Sequence, residues 1–392
     1  MSRRILFDTI AAGGGHVATA RAMRDAVERV SGGEVRGEIR DAMLEMGLER
    51  LDRDHKRGWA RLLRSPRLVR AAMRIMDVIP GVVHAVEARA LDELARRAAA
   101  DPALAGADLV VVNHGFLMVA YARARRRYGL RRPVVTFATE PFDANALWAE
   151  PHADRVVAPS HEARRHLMRL GVPAERIDVI GYPVAASLLT LPTREEARRR
   201  LGLPVEGRSV LLTLGGEGVT DRPERWIDAL LGDRWRVTAI AGRNAALAER
   251  LARHPAAGST LDVHGFVGDM PLRLAAADAV VGKAGPASVL EALAAERPFV
   301  ATSYAGLNEA AVIAYLERSG LGRAVTEPDA LGAALEALST SEGPATETRG
   351  RPDFASMADR IGRHLLTLAD GTAPPPPIGL DMNPWNVAGD AR

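Results

Sequence analysis

The sequence predicts an α/β fold of two doubly wound, Rossmann-like domains that face each other across a cleft. Apolar runs of strand length alternate with helical segments along almost the whole chain, which is typical of parallel sheets covered by helices on both faces. The chain has 392 residues, more than one hydrophobic core usually serves. Three glycine-rich segments follow predicted strands, and doubly wound sheets bind ligands at those strand ends.

Ten strands are predicted from the apolar runs, five in each half of the chain. Those of the first half cover residues 4–8, 108–113, 133–139, 155–159 and 177–181. Those of the second half cover residues 209–214, 236–241, 261–265, 279–282 and 298–303. Short apolar runs bounded by turn-forming residues are expected of strands that are buried on both faces.

The domain boundary is predicted in the segment 183–205, which combines a proline-bearing connector with the charged run 194–200. We therefore expect an N-terminal Rossmann-like domain over residues 1–185 and a C-terminal Rossmann-like domain over residues 186–350. Residues 351–392 are expected to form a helix and a proline-rich tail that packs back toward the N-terminal domain. The end of this tail, residues 372–392, has no apolar pattern and predicts an extended, partly mobile segment.

Composition excludes several classes of protein. The 52 basic residues nearly balance 49 acidic residues, so no overall field that would attract nucleic acid is expected. The absence of cysteine excludes disulfides and cysteine-ligated zinc. The first eight residues lack the apolar core of a secretion signal, and no run approaches the roughly 20 apolar residues that span a bilayer. We expect a cytoplasmic protein, either soluble or attached peripherally to the inner face of the membrane.

The segment 282–288, followed by Glu291, has the features of a nucleotide phosphate site. Its glycines allow close approach of the backbone, the start of a helix supplies free N–H groups, and a carboxylate one turn later can bind a ribose diol. The alternative is an ordinary turn between a strand and a helix. Two further glycine-rich segments, 13–16 and 215–218, favour the nucleotide site.

These motifs, with others, resemble those of glycosyltransferases with the GT-B fold. The similarity is greatest to the group of plant and bacterial monogalactosyldiacylglycerol synthases and processive diacylglycerol glucosyltransferases, and more distant to the MurG enzyme of peptidoglycan synthesis. It covers most of residues 4–322. It rests on the motifs GGGH at 13–16, GYPV at 181–184, LGGEG at 214–218, AGRN at 241–244, and GKAGP at 282–286 with EAL at 291–293.

The resemblance implies inverting transfer of a hexose from a nucleotide sugar, expected to be UDP-linked, to a hydroxyl of a lipid or hydrophobic acceptor. It implies a donor site in which the base lies near residues 265–267, Glu291 accepts from the ribose, and a helix N-terminus holds the diphosphate. No cofactor and no metal are expected, since helix dipoles can stabilise a diphosphate. The predicted donor-binding residues are Gly15, Gly215, Gly216, Glu217, Gly218, Gly242, Arg243, Phe266, Val267, Lys283, Gly285, Pro286, Ala287, Ser288, Glu291, Asn308 and Glu309.

Two of these assignments have structural alternatives. Glu291 could be a solvent-exposed helix residue. Asn308 could cap the helix that it opens, a role that suits asparagine. The family carries Pro-Gly before the pair at 308–309, whereas this chain has Gly306 and Leu307, so the identity of the donor sugar stays open.

His16 is the predicted general base. Direct displacement at the anomeric carbon requires removal of the acceptor proton, and imidazole has a suitable pKa for this task. The alternative is a structural or solvated histidine. Glu140 is the predicted partner, which would either orient His16 or act as the base itself. Relatives have an aspartate, a histidine-containing stretch and a tryptophan in this region, whereas this chain has Glu140, Asn145 and Trp148.

The predicted acceptor site draws on this loop and on a basic segment. Residues 56–76 contain seven cations, no carboxylate and interleaved apolar residues, which predicts an element that binds anionic lipid headgroups. The alternatives are a solvated helix that packs on the sheet, and a site for a soluble anionic acceptor. The predicted acceptor-binding residues are Gly14, Asn145, Trp148, Trp59, Arg61 and Arg64.

Other residues give no functional signal in the sequence. His114, His152, His161, His254 and His264 lack metal-ligand spacing, and Trp226 and Trp235 are expected to pack against helices. Three rival functions stay open: a tailoring glycosyltransferase for a soluble secondary metabolite, a nucleotide-sugar 2-epimerase, and a non-catalytic nucleotide-binding regulator.

Overall fold

The computed structural model describes residues 3–11, 14–63, 65–79, 88–215, 222–339, 351–371 and 385, with only the backbone at positions 59, 60, 63 and 66. Within these ranges the chain forms two six-stranded sheets, and every strand pair in both is parallel. Helices cover the sheets, as parallel sheets require because both of their faces are apolar.

The first sheet has the strand order β2-β1-β3-β4-β5-β6. Its strands are β1 (Arg3–Thr9), β2 (Val35–Asp41), β3 (Leu109–Val112), β4 (Val134–Phe137), β5 (Arg155–Ala158) and β6 (Ile177–Val179). Its helices are α1 (Gly14–Val30), α2 (Ala42–Glu45), α3 (Glu49–Leu63), α4 (Pro66–Val78), α5 (Ala88–Ala100), α6 (Pro102–Ala105), α7 (Gly115–Tyr128) and α8 (His161–Arg169). Single 3-10 turns form at Ala146–Trp148 and Ala174–Arg176.

The second sheet has the order β12-β11-β10-β7-β8-β9. Its strands are β7 (Ser209–Thr213), β8 (Arg236–Ile240), β9 (Leu261–His264), β10 (Ala279–Lys283), β11 (Phe299–Ser303) and β12 (Gly322–Ala324). Its helices are α9 (Arg194–Arg200), α10 (Pro223–Gly232), α11 (Ala245–Leu251), α12 (Met270–Ala276), α13 (Pro286–Ala294), α14 (Leu307–Ser319) and α15 (Leu331–Ser339). The 3-10 turns Ala186–Leu188 and Pro328–Ala330 connect these elements.

Each sheet has one point where the strand order reverses. In the first sheet this point lies between β1 and β3, and in the second it lies between β7 and β10. Doubly wound sheets bind ligands in the crevice that opens at the carboxyl ends of such a pair of strands. The segments that follow these four strands contain His16, Asn113, Gly215 and Gly285.

The last helix, α16 (Phe354–Ala369), lies against α1 of the first sheet. The approach is close because Gly362 has no side chain: a Cβ at this position would lie 2.6 Å from the carbonyl oxygen of Ala26. Met357 of the same helix packs against Gly181, whose φ of +112° favours glycine. Helix α16 therefore supports both the C-terminal half of α1 and the connector after β6.

The ten predicted strands are all present, with bounds within two residues of the prediction. Two strands were missed. Strand β2 has few apolar residues and lies at the edge of its sheet, and β12 has only three residues. The prediction of an extended, mobile tail is wrong for Trp385, which is 2% exposed and packs against Phe142, Tyr315 and Phe354. Its indole N–H donates to the carbonyl of Pro159 over 3.1 Å.

Gly362→Ala is expected to destabilise the protein by about 1–3 kcal/mol, because the added methyl group collides with the α1 backbone. The control is Gly232→Ala at the end of α10, where an added Cβ meets no atom within 4 Å. This control should be neutral or stabilising by up to about 1 kcal/mol. Urea denaturation of both variants measures the difference, and equal midpoints would contradict the proposed packing of α16.

Candidate functional site

His16 lies in the first turn of α1, directly opposite the end of β3. Its Nδ1 is 2.7 Å from the backbone oxygen of Asn113. In return, the side-chain amide of Asn113 donates to the backbone oxygen of His16 over 2.5 Å. This reciprocal pair of hydrogen bonds joins the first turn of α1, which follows β1, to the residue that follows β3, and β1 and β3 flank the reversal point of the first sheet.

The Asn113 contact determines the tautomer of His16. A carbonyl oxygen can only accept, so Nδ1 carries the proton and Nε2 keeps its lone pair. Burial lowers the pKa of His16 to about 4, and this effect outweighs the opposite effect of the hydrogen bond to Asn113. His16 is therefore neutral near pH 7, with Nε2 able to accept a proton.

Three further rings surround His16. Its centroid is 4.8 Å from that of His114 and 6.4 Å from that of Trp148. His55 of α3 contacts His114 edge-on at 5.4 Å. Burial is the main reason why the pKa values of His114 and His55 are lowered, so all three imidazoles favour the neutral form. The sequence analysis treated His114 as uninformative, because nothing in the sequence links positions 16 and 114.

Glu140 lies after β4, in the same cleft. Burial raises its pKa to about 8, nearby Asp143 adds to the rise, and hydrogen bonding by Trp148 opposes it. Its Oε2 is buried without a hydrogen-bond partner in the described parts of the chain. The hydrogen bond that orients the His16 ring comes from Asn113 and not from Glu140, so the predicted orienting role of Glu140 does not fit this geometry. A protonated Glu140 is also a poor candidate for the base.

Tyr182 is a site residue to which the sequence analysis gave no role, although it lies in the GYPV motif. Its hydroxyl is 3.0 Å from that of Thr19, which donates to the carbonyl of Gly15 over 2.9 Å. Burial raises the pKa of Tyr182, and the charges of Glu140 and Glu291 add to this rise. Tyr182 thus lies between the two halves of the site and supports the first turn of α1.

Six of the predicted donor-binding residues line one pocket of the second sheet: Gly215, Gly242, Phe266, Val267, Ser288 and Glu291. The predicted residues Arg243, Lys283, Gly285, Pro286, Ala287, Asn308 and Glu309 are not part of its wall. Its walls are formed by Thr213, Gly215, Ile240, Gly242, Phe266, Val267, Met270, Leu274, Val280, Ser288 and Glu291. Phe266 is 68% exposed, and the guanidinium of Arg243 lies 5.2 Å from the centre of its ring. Burial raises the pKa of Glu291 to about 7. The pocket combines an exposed aromatic face with a carboxyl group, which suits a base and a ribose.

The two helix N-termini meet beside this pocket. A Cβ on Gly15 would lie 3.8 Å from the Cβ of Ala287, in the first turn of α13. Helix α13 begins after Gly285 with Pro286 at its first position, so its free N–H groups face the cleft. His16 therefore lies within one helical turn of the predicted phosphate site.

Glu309, which together with Asn308 is predicted to bind the sugar, is held by contacts with other protein groups. Glu309 is 7% exposed; one carboxylate oxygen pairs with Lys283, and the other accepts from the backbone N–H of Ala305 over 2.5 Å. Helix α14 is capped by Gly306 and not by the side chain of Asn308, so the capping alternative for Asn308 does not apply.

Some of the predicted site residues are too buried to contact an acceptor, and others lie outside the described part of the chain. Asn145 and Trp148 are 4% and 2% exposed, and Asn145 caps the turn Ala146–Trp148 by accepting from the N–H of Leu147. Both are too buried for direct contact with an acceptor in this conformation. Arg61 is exposed on α3, and Gly14 is exposed at the start of α1. Gly216, Glu217, Gly218, Arg64 and the side chain of Trp59 lie outside the described residues.

Helix α4 connects both sides of the cleft. On the donor side, the sulfur of Met73 lies against Gly306, and the guanidinium of Arg70 stacks over Tyr304 at 5.3 Å. On the acceptor side, the carboxylate of Asp77 accepts from the N–H of Ala146 over 2.9 Å. The basic segment of the sequence is thus part of the cleft, and it forms two helices, α3 and α4.

Within the described ranges, no three histidine or carboxylate side chains are grouped as metal ligands require. The same ranges contain no helix with the length and apolarity needed to cross a bilayer.

Comparison with known proteins agrees with this arrangement. Residues 46–187 match the model of Glycosyltransferase Family 4, and residues 223–314 match the C-terminal domain of glycosyltransferase family 28. The chain is 27% identical to the probable monogalactosyldiacylglycerol synthase of Nicotiana tabacum and 28% identical to monogalactosyldiacylglycerol synthase 1 of Arabidopsis thaliana. Each alignment covers 81% of this chain and 61% of the relative.

The UDP co-structure of S. aureus MnaA superimposes with a TM-score of 0.56 at 12% identity, covering 96% of this chain and 100% of that one. The chain has the GT-B fold and resembles the monogalactosyldiacylglycerol synthases. The fold and the resemblance predicted from sequence are therefore confirmed. The chain spans about three fifths of the length of the two relatives, so its own activity is a matter for proposal.

The His16 ring is expected to stay neutral, with its proton on Nδ1, as the pH falls through 6.5, and to gain a second proton only near pH 4. Desolvation disfavours the imidazolium, so protonation requires a more acidic solution than for a free histidine. Nitrogen-15 NMR of the histidine rings measures both tautomer and pKa, with His16→Gln identifying the signal. A midpoint near 6.5, or a proton on Nε2, would contradict the geometry.

Proposed function

We propose that the protein is an inverting glycosyltransferase that moves a hexose from a nucleotide sugar, UDP-linked, to a hydroxyl of a lipid or hydrophobic acceptor. The observation that carries the proposal is the position of His16. A neutral imidazole, with its proton on Nδ1 and the lone pair on Nε2, lies within one turn of a helix N-terminus that borders the pocket of Phe266 and Glu291. The domain of residues 1–185 would bind the acceptor, and that of residues 186–350 the donor.

In this reaction, Nε2 of His16 takes the proton of the acceptor hydroxyl as its oxygen attacks the anomeric carbon. The bond from that carbon to the diphosphate oxygen breaks, and the nucleoside diphosphate leaves with the electron pair. Because attack and departure occur on opposite sides of the carbon, the configuration inverts. Neutral His16 is competent for this step at any pH well above about 4.

The leaving diphosphate would be stabilised by the N-termini of α13 and α1. Each helix N-terminus carries about half a positive charge and free N–H donors, so the charge that develops on the diphosphate meets fixed dipoles without a metal ion. Glu291 would accept hydrogen bonds from the ribose hydroxyls, and Phe266 offers a face on which the base can stack.

The acceptor assignment rests on α4, which has apolar residues on two sides. Val69 and Met73 are buried against the cleft. Leu68, Ile75 and Val78 are 55–81% exposed and lie away from that buried side, Ile79 directly after the helix is also exposed, and the exposed Arg67 and Arg74 lie beside them. A solvated helix needs one apolar side only. An exposed second side with flanking cations favours contact with an anionic membrane that holds the lipid acceptor.

The first test is His16→Ala, which should lower kcat by about 10²–10⁴-fold because general base catalysis is lost. Transfer from UDP-galactose and UDP-glucose is measured with diacylglycerol in anionic vesicles, and the affinity for UDP is measured by calorimetry. UDP affinity should stay within threefold of the wild-type value, because His16 acts on the acceptor.

His16→Gln serves as the control, because it keeps a polar side chain in the first turn of α1 but provides no base. Full activity of either variant would reject His16 as the base. Absence of UDP binding by the wild-type protein would reject the donor site. UDP binding with turnover only on soluble alcohols would favour the tailoring enzyme over the lipid enzyme.

Replacing Ile75 and Val78 together by serine is expected to reduce binding to anionic vesicles by at least tenfold, because each change removes about 1.5–3 kcal/mol of apolar burial. Met168→Ser, at an exposed apolar residue of α8, is the matched control and should bind as the wild type does. Vesicle flotation measures both. Equal binding of all three proteins would show that α4 does not face the lipid.

A further inference from the structure

A second cavity lies at the opposite edge of the second sheet from the donor pocket. It is formed at the amino ends of the strands, by residues that precede or begin β7, β8, β10, β11 and β12. Its wall includes Arg208, Trp235, Asp278, Glu296, Arg297 and Arg351. The strands of this sheet have at most five residues, so about 17 Å separates the two edges.

Part of the charge in this cavity is satisfied by the protein itself. Arg194 donates to one oxygen of Asp278 over 2.7 Å, and the neighbouring Arg198 donates to the other over 2.8 Å. The backbone N–H of Ser209 also donates to Asp278, over 2.7 Å. The Asp278 carboxylate therefore already accepts three hydrogen bonds from the protein.

Other donors in the wall are not satisfied. The Nε of Arg297 is buried and has no hydrogen-bond partner among the described residues. The indole N–H of Trp235 is also buried without a hydrogen-bond partner among the described residues, and the Trp235 side chain is 3% exposed. Arg351 pairs with the exposed Glu296 at 3.5 Å. Arg208 pairs with Glu336 at 3.4 Å, and its guanidinium stacks over the Trp235 ring at 5.5 Å. Two orphaned donors and two further guanidinium groups thus lie around one cavity.

We propose that this cavity binds a phosphate monoester that carries an apolar group. Unsatisfied buried donors cost about 1–3 kcal/mol each, and a ligand that offers only acceptors removes that cost. Guanidinium groups bind phosphate through paired, charge-assisted hydrogen bonds. The wall also includes Leu293, Pro298, Leu321 and Leu338, which can contact the apolar group of the ligand.

The cavity is not explained by the proposed transferase reaction. Its residues begin the strands, whereas the donor pocket lies where they end, and no residue lines both. Helix α13 does connect the two, since Ser288 and Glu291 line the pocket and Leu293 lines the cavity.

Calorimetric titration of the full chain with n-hexyl phosphate tests the proposal. Saturating UDP is present throughout, so that the donor pocket is occupied and the outcome does not depend on the proposed function. We expect binding of hexyl phosphate, at least tenfold weaker binding of inorganic phosphate, and none of n-hexanol. The indole N–H signal of Trp235, assigned with Trp235→Phe, should shift on titration.

Arg297→Met should weaken hexyl phosphate binding at least tenfold, while Arg323→Met, at an exposed arginine of β12, should leave it unchanged. If Arg297→Met does not fold, Arg351→Gln at a half-exposed residue provides the same test. Failure of the wild type to bind, equal binding by the cavity variants, or an unchanged Trp235 signal would overturn the proposal.

Vesicles that contain phosphatidate distinguish the sources of the phosphate. If Arg297→Met weakens their binding in the Ile75→Ser, Val78→Ser background, the site accepts a lipid headgroup. If it weakens binding of hexyl phosphate only, the site accepts a free phosphate ester.

Discussion

The reciprocal hydrogen bonds between His16 and Asn113 are the constraint on which the proposed site depends. They join the first turn of α1 to the end of β3, beside the reversal point between β1 and β3 of the first sheet. They also place the proton of His16 on Nδ1. Because the acceptor is a backbone carbonyl, the orientation of the ring is tied to the sheet itself and not to a mobile carboxylate side chain.

Desolvation has the same effect on each titratable group of the cleft that shows a large shift. It lowers the pKa of His16 to about 4 and raises those of Glu291 and Glu140 to about 7 and 8. Each shift favours the neutral form. An ionised Glu140 would repel an incoming diphosphate and would raise the pKa of His16. In its protonated form it does neither, so the helix N-termini can act on the phosphate charge without opposition from this residue.

The sequence was sufficient to predict the elements whose pattern lies within one short stretch of the chain. Ten strands, the two-sheet architecture and the grouping of Gly215, Gly242, Phe266 and Glu291 around one pocket follow from apolar runs, glycine turns and family motifs.

The sequence was not sufficient to predict features that depend on contacts between residues distant in the chain. His114 gains its place only through the pairing of β1 with β3, and Trp385 is buried by rings from three other segments. Strand β2 was missed because its stability comes from pairing with β1 and not from its own apolarity.

Helix α4 sets a limit on how far a lipid acceptor would have to move. Its buried side contacts the loop of Gly306 and the turn that carries Trp148, while its exposed apolar side faces away from the cleft. A helix with its side chains is about 10–12 Å across, so a membrane in contact with the exposed side would lie only that far from the cleft. A lipid would then have to rise by at least one helix diameter to bring its hydroxyl into the cleft, and most of its acyl chains could stay in the bilayer. A soluble acceptor would gain nothing from this arrangement, which is the physical reason for preferring the lipid.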